Sequence, residues 1–596
     1  MESFFLKIAT KTFFIQLLLI CSLPLHSQTI PIGGQDLIRS QALKNIHYEK
    51  QGMGVATVVS ATPDSSVVLS LKTLTQPPFI YNLALNFPLK KQKLLKEQVL
   101  LLSFQARTVS SSLETGEAKC LWLLRQSDSH KESLERSVSL ASDWRTYYFP
   151  IQTTQAIKAD DLALVIQFGY PPQELLLRDL QLLIYPAETD INSLPKTQIS
   201  YAGQEPDAPW RKAAKERIEK HRKGDFQLNF MDKKGNPLRK VAVQVKQKKH
   251  YFSWGAAVSA QDLINDPKHI EHFRQAFNLA VFENDLKIKR WNKNDNQAVL
   301  VTRALQVLEE NDIDIKGHVL IWPGFRYLPP IYKRHQDNPK KITKLLNQHL
   351  DAVLNTTRNK ISRWDVVNEA YTNQDLQRIT GSEEILYEGF RKLKQKEPQV
   401  LRYTNEYGII SKGGHDSQKQ AWYYDFIKRI DQHTGGLVDG IGIQCHIGTD
   451  LTPPERVLEI LDYYSELDKK IAISELTLEI KDPEIRKQYT LDFITAAFSH
   501  PSVFELLFWG YYEPKHEKAA IFSENWELAP MGEAFFSLVH DEWKTNIIAE
   551  TDSTGSIKGR GFYGLYEYTF VMGNQVVKGE FSVSPGETEI IKIKIP

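Results

Sequence analysis

The stretch PKKITKLLNQHLDAVLNTTRNKISRWDVVNEAY, residues 339–371, holds a helix and a strand in succession. Its first part, to Thr357, reads as a helix. Trp364 with the β-branched pair Val366 and Val367 then reads as a buried strand. That strand stops on an amide and a carboxylate, Asn368 and Glu369.

The same alternation runs on both sides. Short apolar strands begin at SWGAAV (253), FNLAVFEN (277), DIKGHVLIW (314), SRWDVVNE (362), VLRYTNEY (400), DGIGIQCH (439), KIAISELT (470) and ELLFWGYY (505), with helix-like segments between them. Eight βα units in about 290 residues match a (β/α)8 barrel, expected over residues 253–543. An open doubly wound sheet would need a glycine-rich phosphate loop after an early strand, and none occurs.

The flanks differ. Residues 28–200 carry runs such as VLLLSFQARTV, KCLWLLRQS and LALVIQFGY between polar turns, which predicts a β-sandwich of jelly-roll kind. Residues 201–252 predict a charged connector helix ended by Gly224, then a hairpin turning at Lys234-Gly235-Asn236-Pro237. Residues 544–596 hold further strands with glycine turns, and are expected to pair with that hairpin as a small β-subdomain. At the start, Lys7 and Lys11 precede the apolar run Phe13 to Leu23, which predicts a signal peptide over residues 1–27 and export to the periplasm, the cell surface or the medium. No later run is apolar enough to predict a membrane span.

The chain has 596 residues, more than one core holds, and a formal net charge of +2, which gives no argument for nucleic acid. Beyond the leader, Cys120 and Cys445 make no metal spacing and read as two free core thiols. A monomer is expected.

In a barrel of this kind the site lies at the C-terminal ends of the strands. Those ends offer Glu283, Asn284 and Lys287; His318 and Trp322; Asn368 and Glu369; Asn405 and Glu406; Gln444 and His446; Glu475; and Trp509 with Glu513. A lone strand-end carboxylate is usually a surface residue or an ion-pair partner. Two carboxylates among amides and indoles suit glycoside hydrolysis, where one protonates the departing oxygen and the other meets the anomeric carbon. A retaining pair sits ~5–5.5 Å apart and an inverting pair ~6.5–9.5 Å.

At these residues the chain resembles glycoside hydrolase family 10, the retaining endo-β-1,4-xylanases. WDVVNEA resembles the acid/base motif, AISELTL the nucleophile motif and VDGIGIQCH the strand-six motif; FENDLKIKRW, KGHVLIW and FWG resemble further segments in the family's order. The resemblance implies Glu369 as acid/base, with a raised pKa, and Glu475 as an ionised nucleophile assisted by Gln444 and His446. It implies Asn368 on the 2-hydroxyl of the sugar at the cleavage point. Glu283, Asn284, Lys287 and His318 would hold sugar hydroxyls, while Trp322 and Trp509 wall the cleft. The implied substrate is xylan or a related β-linked polysaccharide, with no metal or cofactor. Residues 28–200 resemble a carbohydrate-binding module, with Trp122, Trp144, Tyr147, Tyr148 and Tyr170 as ring candidates for glycan or for core.

Three positions depart from the family pattern, and beyond the eighth strand YYEPKHEKAAIFSENW lacks the usual Asp…Ser-Trp-Arg pattern. Pro323 and Phe325 stand where a His and a Gln are usual, and Thr477 where an Asp follows the nucleophile. These leave open another or decorated β-glycan as substrate, or a barrel that binds glycan without turnover.

Overall fold

In the computed structural model, eight parallel strands close into one barrel: Ser253–Val258, Leu279–Phe282, Asp314–Ile321, Arg363–Asn368, Leu401–Glu406, Gly440–Ile447, Lys470–Leu478 and Val503–Phe508. The described residues are 29–594, apart from 61–66, 114, 128–131, 187, 294–295 and 587. The expected signal peptide lies outside them.

The strands are buried along most of their length because helices cover one face and the barrel interior the other, and apolar residues fill most of their positions. Ser253–Val258, Leu279–Phe282 and Gly440–Ile447 are buried at every residue. Close packing between neighbouring strands shows at their glycines, two of which illustrate it. A Cβ on Gly317 would lie 2.2 Å from the Trp364 ring, and one on Gly440 2.2 Å from the Tyr403 ring. Low in the barrel, Lys316 bridges Glu505 at 2.7 Å and Asp365 at 3.1 Å, and Arg363 meets Glu505 at 2.5 Å. All four charges are buried or nearly so, and each has a partner of opposite sign.

The N-terminal region is a two-sheet sandwich. One sheet runs His47–Lys50, Gly54–Ser60, Val68–Thr73, Gln173–Ile184, Val99–Ser111, Arg145–Gln152, with Gln35–Asp36 added on Gln173–Ile184. The other runs Ala84–Phe87, Leu162–Gln167, Ala118–Gln126, Glu132–Leu140. Trp122, Phe104, Tyr147 and Phe149 fill the space between them. Cys120 and Cys445 are free and buried.

The connector helix, Pro209–His221, stops three residues before Gly224. The cause is Arg222, whose guanidinium is drawn onto the carbonyls of Phe498, His500 and Val503 at 2.5–2.8 Å. Gly224 instead lies within strand Lys223–Met231, where a Cβ would meet the Tyr563 ring at 2.7 Å.

The expected hairpin also opens differently. Its turn forms, with Asp232 Oδ1 accepting from Asn236 N at 2.8 Å. Its two strands then part into separate sheets. Lys223–Met231 pairs with Ser556–Phe562 and Glu589–Lys594, while Ala242–His250 pairs with Asn546–Glu550 and Gly564–Met572. Splitting them lets Phe226, Phe230, Tyr566, Phe570 and Phe581 share one core between the sheets. Among the described residues no helix is long and apolar enough to cross a membrane.

Candidate active site

The fourth strand delivers Glu369 through a turn in the left-handed region, with φ 52°. A non-glycine residue holds such a conformation only where its surroundings over-determine it. Here Glu369 N donates to Asn405 O at 2.9 Å, and Glu369 O accepts from Asn373 N at 3.2 Å and Asn373 Nδ2 at 3.0 Å.

The carboxylate then joins an amide network. Glu369 Oε1 accepts from Asn368 Nδ2 at 3.2 Å and Gln444 Nε2 at 3.3 Å. Asn368 Oδ1 accepts from Gln444 Nε2 at 3.1 Å and Asn405 Nδ2 at 2.9 Å. Asn405 Nδ2 also donates to Glu475 Oε1 at 2.7 Å. One unbroken chain of hydrogen bonds therefore joins the two carboxylates, one on the fourth strand and one on the seventh. Both are almost wholly buried. Ser474 Oγ anchors Asn405 by donating to its Oδ1 at 2.6 Å.

Glu475 Oε2 faces His446 Nε2 at 3.2 Å, and His446 Nδ1 faces Thr477 Oγ1 at 3.0 Å. Burial pushes the Glu475 carboxyl up. The His446 hydrogen bond, with the charges of His318, His446 and Lys287, more than offsets this and holds it below its ordinary value. Each carboxylate oxygen accepts one strong bond and keeps lone pairs to offer.

The second and third strands bring up the remaining groups. Lys287 Nζ donates to Asn284 Oδ1 at 3.1 Å and lies 5.0 Å over the Trp322 ring and 5.7 Å over the Trp509 ring. His318 Nδ1 meets Asp365 Oδ2 at 3.0 Å, and its ring stands edge-on to Trp509. Trp322 is stacked against Tyr327, with centroids 3.5 Å apart. Trp322 Nε1 and Gln444 Oε1 are buried without hydrogen-bond partners, one donor and one acceptor of the kind a hydroxyl satisfies. Glu283 pairs with His516 at 3.2 Å, and that hydrogen bond, against burial, lowers its carboxyl.

Of the fourteen strand-end residues singled out in the sequence, the eleven given a role lie in the C-terminal halves of the barrel strands or just past them, while Glu406 pairs with Lys419 at 3.0 Å. Three further residues of the site had gone without a role. Asn405 was visible at a strand end. Thr477 was noticed only as a lost acid. His516 follows the eighth strand in a stretch that departs from the family pattern, and nothing local marks it. At the two remaining departures, Phe325 N donates to Asp375 Oδ2 at 2.7 Å and Pro323 O accepts from Leu376 N at 3.1 Å, so both fasten the loop to a neighbouring helix.

On the sandwich, Trp122 and Tyr147 are core. Tyr148 and Tyr170 are half-buried, and Trp144 lies beneath the Arg178 guanidinium at 4.2 Å. Among its described residues, Phe79 and Tyr81 are exposed and stacked parallel, with centroids 5.1 Å apart.

Residues 243–528 match the model of Glycosyl hydrolase family 10. Over 368 residues the chain is 28% identical to the anti-sigma-I factor RsgI6 of Acetivibrio thermocellus, covering 60% of this chain and 46% of that one. Over 389 residues it is 25% identical to endo-1,4-beta-xylanase 3 of Arabidopsis thaliana, covering 63% of this chain and 50% of that one. The chain thus spans about half the length of these relatives. Among solved structures it is similar to xylanase 10B from Thermotoga petrophila RKU-1 in complex with xylobiose: 22% identity, TM-score 0.43, covering 49% of this chain and 95% of that one.

Proposed function

The barrel is a glycosyl hydrolase family 10 domain, and from that premise we propose that the protein is an exported, retaining endo-β-1,4-xylanase. The observation that carries this reading is the hydrogen-bonded chain from Glu369 through Asn368 and Asn405 to Glu475. It links two buried carboxylates, of which Glu475 is held below its ordinary value.

In the first step Glu475 attacks the anomeric carbon while Glu369 gives its proton to the departing glycosidic oxygen. A glycosyl ester on Glu475 results. In the second step Glu369, now ionised, takes a proton from water as that water attacks the same carbon and frees Glu475. His446 and Asn405 keep Glu475 charged and aimed. Asn368 lies between the carboxylates, where a hydrogen bond to the sugar 2-hydroxyl tightens as charge develops. Glu283, Asn284, Lys287 and His318 hold the retained sugars, and Trp509 covers their ring faces.

The test separates the two acids. Glu475→Ala should lose turnover on every substrate. Glu369→Ala should lose turnover on xylan yet keep forming the glycosyl ester from an aryl glycoside, whose leaving group needs no proton. Near-normal xylan cleavage by either variant would end the assignment.

A second reading has one observation in its favour. A relative that matches over 368 residues carries the name of an anti-sigma factor, so a glycan-binding regulator is the alternative. Binding without release of reducing ends, across a panel of β-glycans, would select it. A panel that includes decorated xylans also tests whether Phe325 and Pro323 shift the preferred substrate.

A further inference from the structure

The sandwich is fixed to the barrel by a built interface. Glu117 is fully buried and spreads its carboxylate over the loop after the sixth strand: Oε1 accepts from Asp450 N at 2.6 Å and Oε2 from Thr449 N at 3.2 Å. Thr449 Oγ1 donates back to Ser139 O at 3.2 Å, and Arg145 pairs with Asp450 at 2.7 Å. Lys119 pairs with Glu479, just past the seventh strand. A Cβ on Gly448 would lie 1.6 Å from Glu117 Oε2, so the fit leaves no room for any side chain there. A module swinging on a tether would need none of this.

What the interface encloses lies next to the chemistry. A cavity of about 970 Å³ is bounded on the barrel side by Glu369, Thr372, Asn373 and Tyr407, and on the sandwich side by residues at one tip, among them Leu74, Ser112, Leu113 and Pro172. Glu283, Asn284 and Lys287 are not part of its wall. Trp509, His446 and Thr477 also line the cavity, so it reaches over the nucleophile; Thr372, Asn373 and Tyr407, which follow the fourth and fifth strands, carry it past the acid on the side away from Glu283, Asn284 and Lys287 of the second strand. Its sandwich face mixes hydroxyls with flat aliphatic surface, which matches the edges and faces of a sugar ring.

We propose that the N-terminal sandwich is the outer wall of the leaving-group half of the cleft, so that sugars beyond the scissile bond pass between Tyr407 and the Ser112–Leu113 tip. This rests on reading Glu369 as the proton donor. The wall has two consequences. Substrate length beyond the cleavage point is sensed by a second domain, and the preference for side branches there depends on residues outside the barrel.

The experiment compares two substrates on the full chain. In 4-nitrophenyl β-xylobioside both sugars lie on the retained side and the aryl group leaves. Xylohexaose extends along the proposed wall. Ser112→Trp alters the wall directly, and Glu117→Ala combined with Lys119→Ala loosens the interface from the sandwich side. Each should shift KM for xylohexaose by about fivefold or more and leave kcat/KM for the aryl substrate within about twofold. If the wild-type protein cleaves both substrates and neither variant changes the hexamer KM, the wall is refuted while the catalytic reading stands. If the wild type cleaves neither, the catalytic reading falls and takes the wall with it.

Discussion

The Thr477 hydroxyl lies 3.0 Å from His446 Nδ1, and on its far side the same imidazole meets Glu475 at 3.2 Å. A hydroxyl can donate to Nδ1, which leaves the Nε2 proton for Glu475 without requiring a charged ring. A threonine at this position can thus select the tautomer, where a carboxylate would favour the imidazolium. Thr477→Val keeps the shape and removes the donor. A buried ring nitrogen without a partner costs about 1–3 kcal/mol, so kcat/KM should fall by about tenfold or more, while Thr477→Ser stays near wild type. Steady-state kinetics on soluble xylan decides it: equal rates for Val and Ser would show the hydroxyl to be idle.

Asn405 sets the charge on the nucleophile. Its amide donates to Glu475, and its carbonyl is held by Ser474. Asn405→Asp keeps the size and places a negative oxygen where that donor was. Like charge raises the Glu475 pKa. The active form has Glu475 ionised and exists above that pKa. The wild-type protein, whose Glu475 sits below its ordinary value despite burial, should therefore keep kcat/KM on the acid side. In Asn405→Asp the acid limb should move to higher pH, with kcat down about a hundredfold or more. A pH profile with an unmoved limb would remove Asn405 from this role.

How much of this was legible depended on how local each cause is. Barrel strands covered on both faces must be apolar throughout, so Gly440–Ile447 or Lys470–Leu478 announce themselves, and the polar residue that breaks each run marks the mouth. The Asn368–Glu369 pair was readable for that reason. Thr477 was readable only as an absence, because its partner lies one strand over. The connector helix misled because its end is set by Arg222 reaching carbonyls near residue 500, outweighing the usual signal of Gly224. Core is the reading the strand runs favour for the sandwich aromatics, and Trp122 and Tyr147 are core. Trp122 in a strand and Tyr81 in a turn differ by what packs over them, and the exposed pair Phe79 and Tyr81 was not singled out in the sequence.

The charged group low in the barrel should be a stability element. Burial lowers the Lys316 ammonium, but Asp365 and Glu505 more than reverse this. Burial raises Glu505, but Lys316 and Arg363 bring it below its ordinary value. Lys316→Met would leave Glu505 to Arg363 alone and Asp365 to His318 alone, with one buried cation lost between them, and should cost about 3–5 kcal/mol, seen as a lower midpoint in denaturant. The Glu505 contribution has the sign of a depressed acid. It is full above the ordinary carboxylate pKa and is lost as pH falls through the lower folded value. Thermal stability should therefore drop on acidification, and Glu505→Gln should flatten that drop.

The opposite sign governs the interface between sandwich and barrel. Burial pushes Glu117 up to about 7, aided by the Asp450 charge and resisted by the Asp450 and Thr449 amides and by Lys119. Arg145, paired with Asp450, and Tyr147, whose hydroxyl feels the Glu117 charge, face the same spot. A raised acid favours the docked state most below its undocked pKa, and that advantage fades as pH rises through about 7. The sandwich should therefore be held more firmly at pH 5.5 than at 8.5. Cleavage by a broad-specificity protease within residues 186–208, between sandwich and connector helix, reports the released state. Its rate relative to a denatured control should rise by about tenfold or more across that range. Glu117→Gln cannot ionise and should show a flat profile. A wild-type profile as flat as that of the Gln variant would mean that Glu117 stays in one protonation state throughout, and pH control of the cleft wall would be excluded.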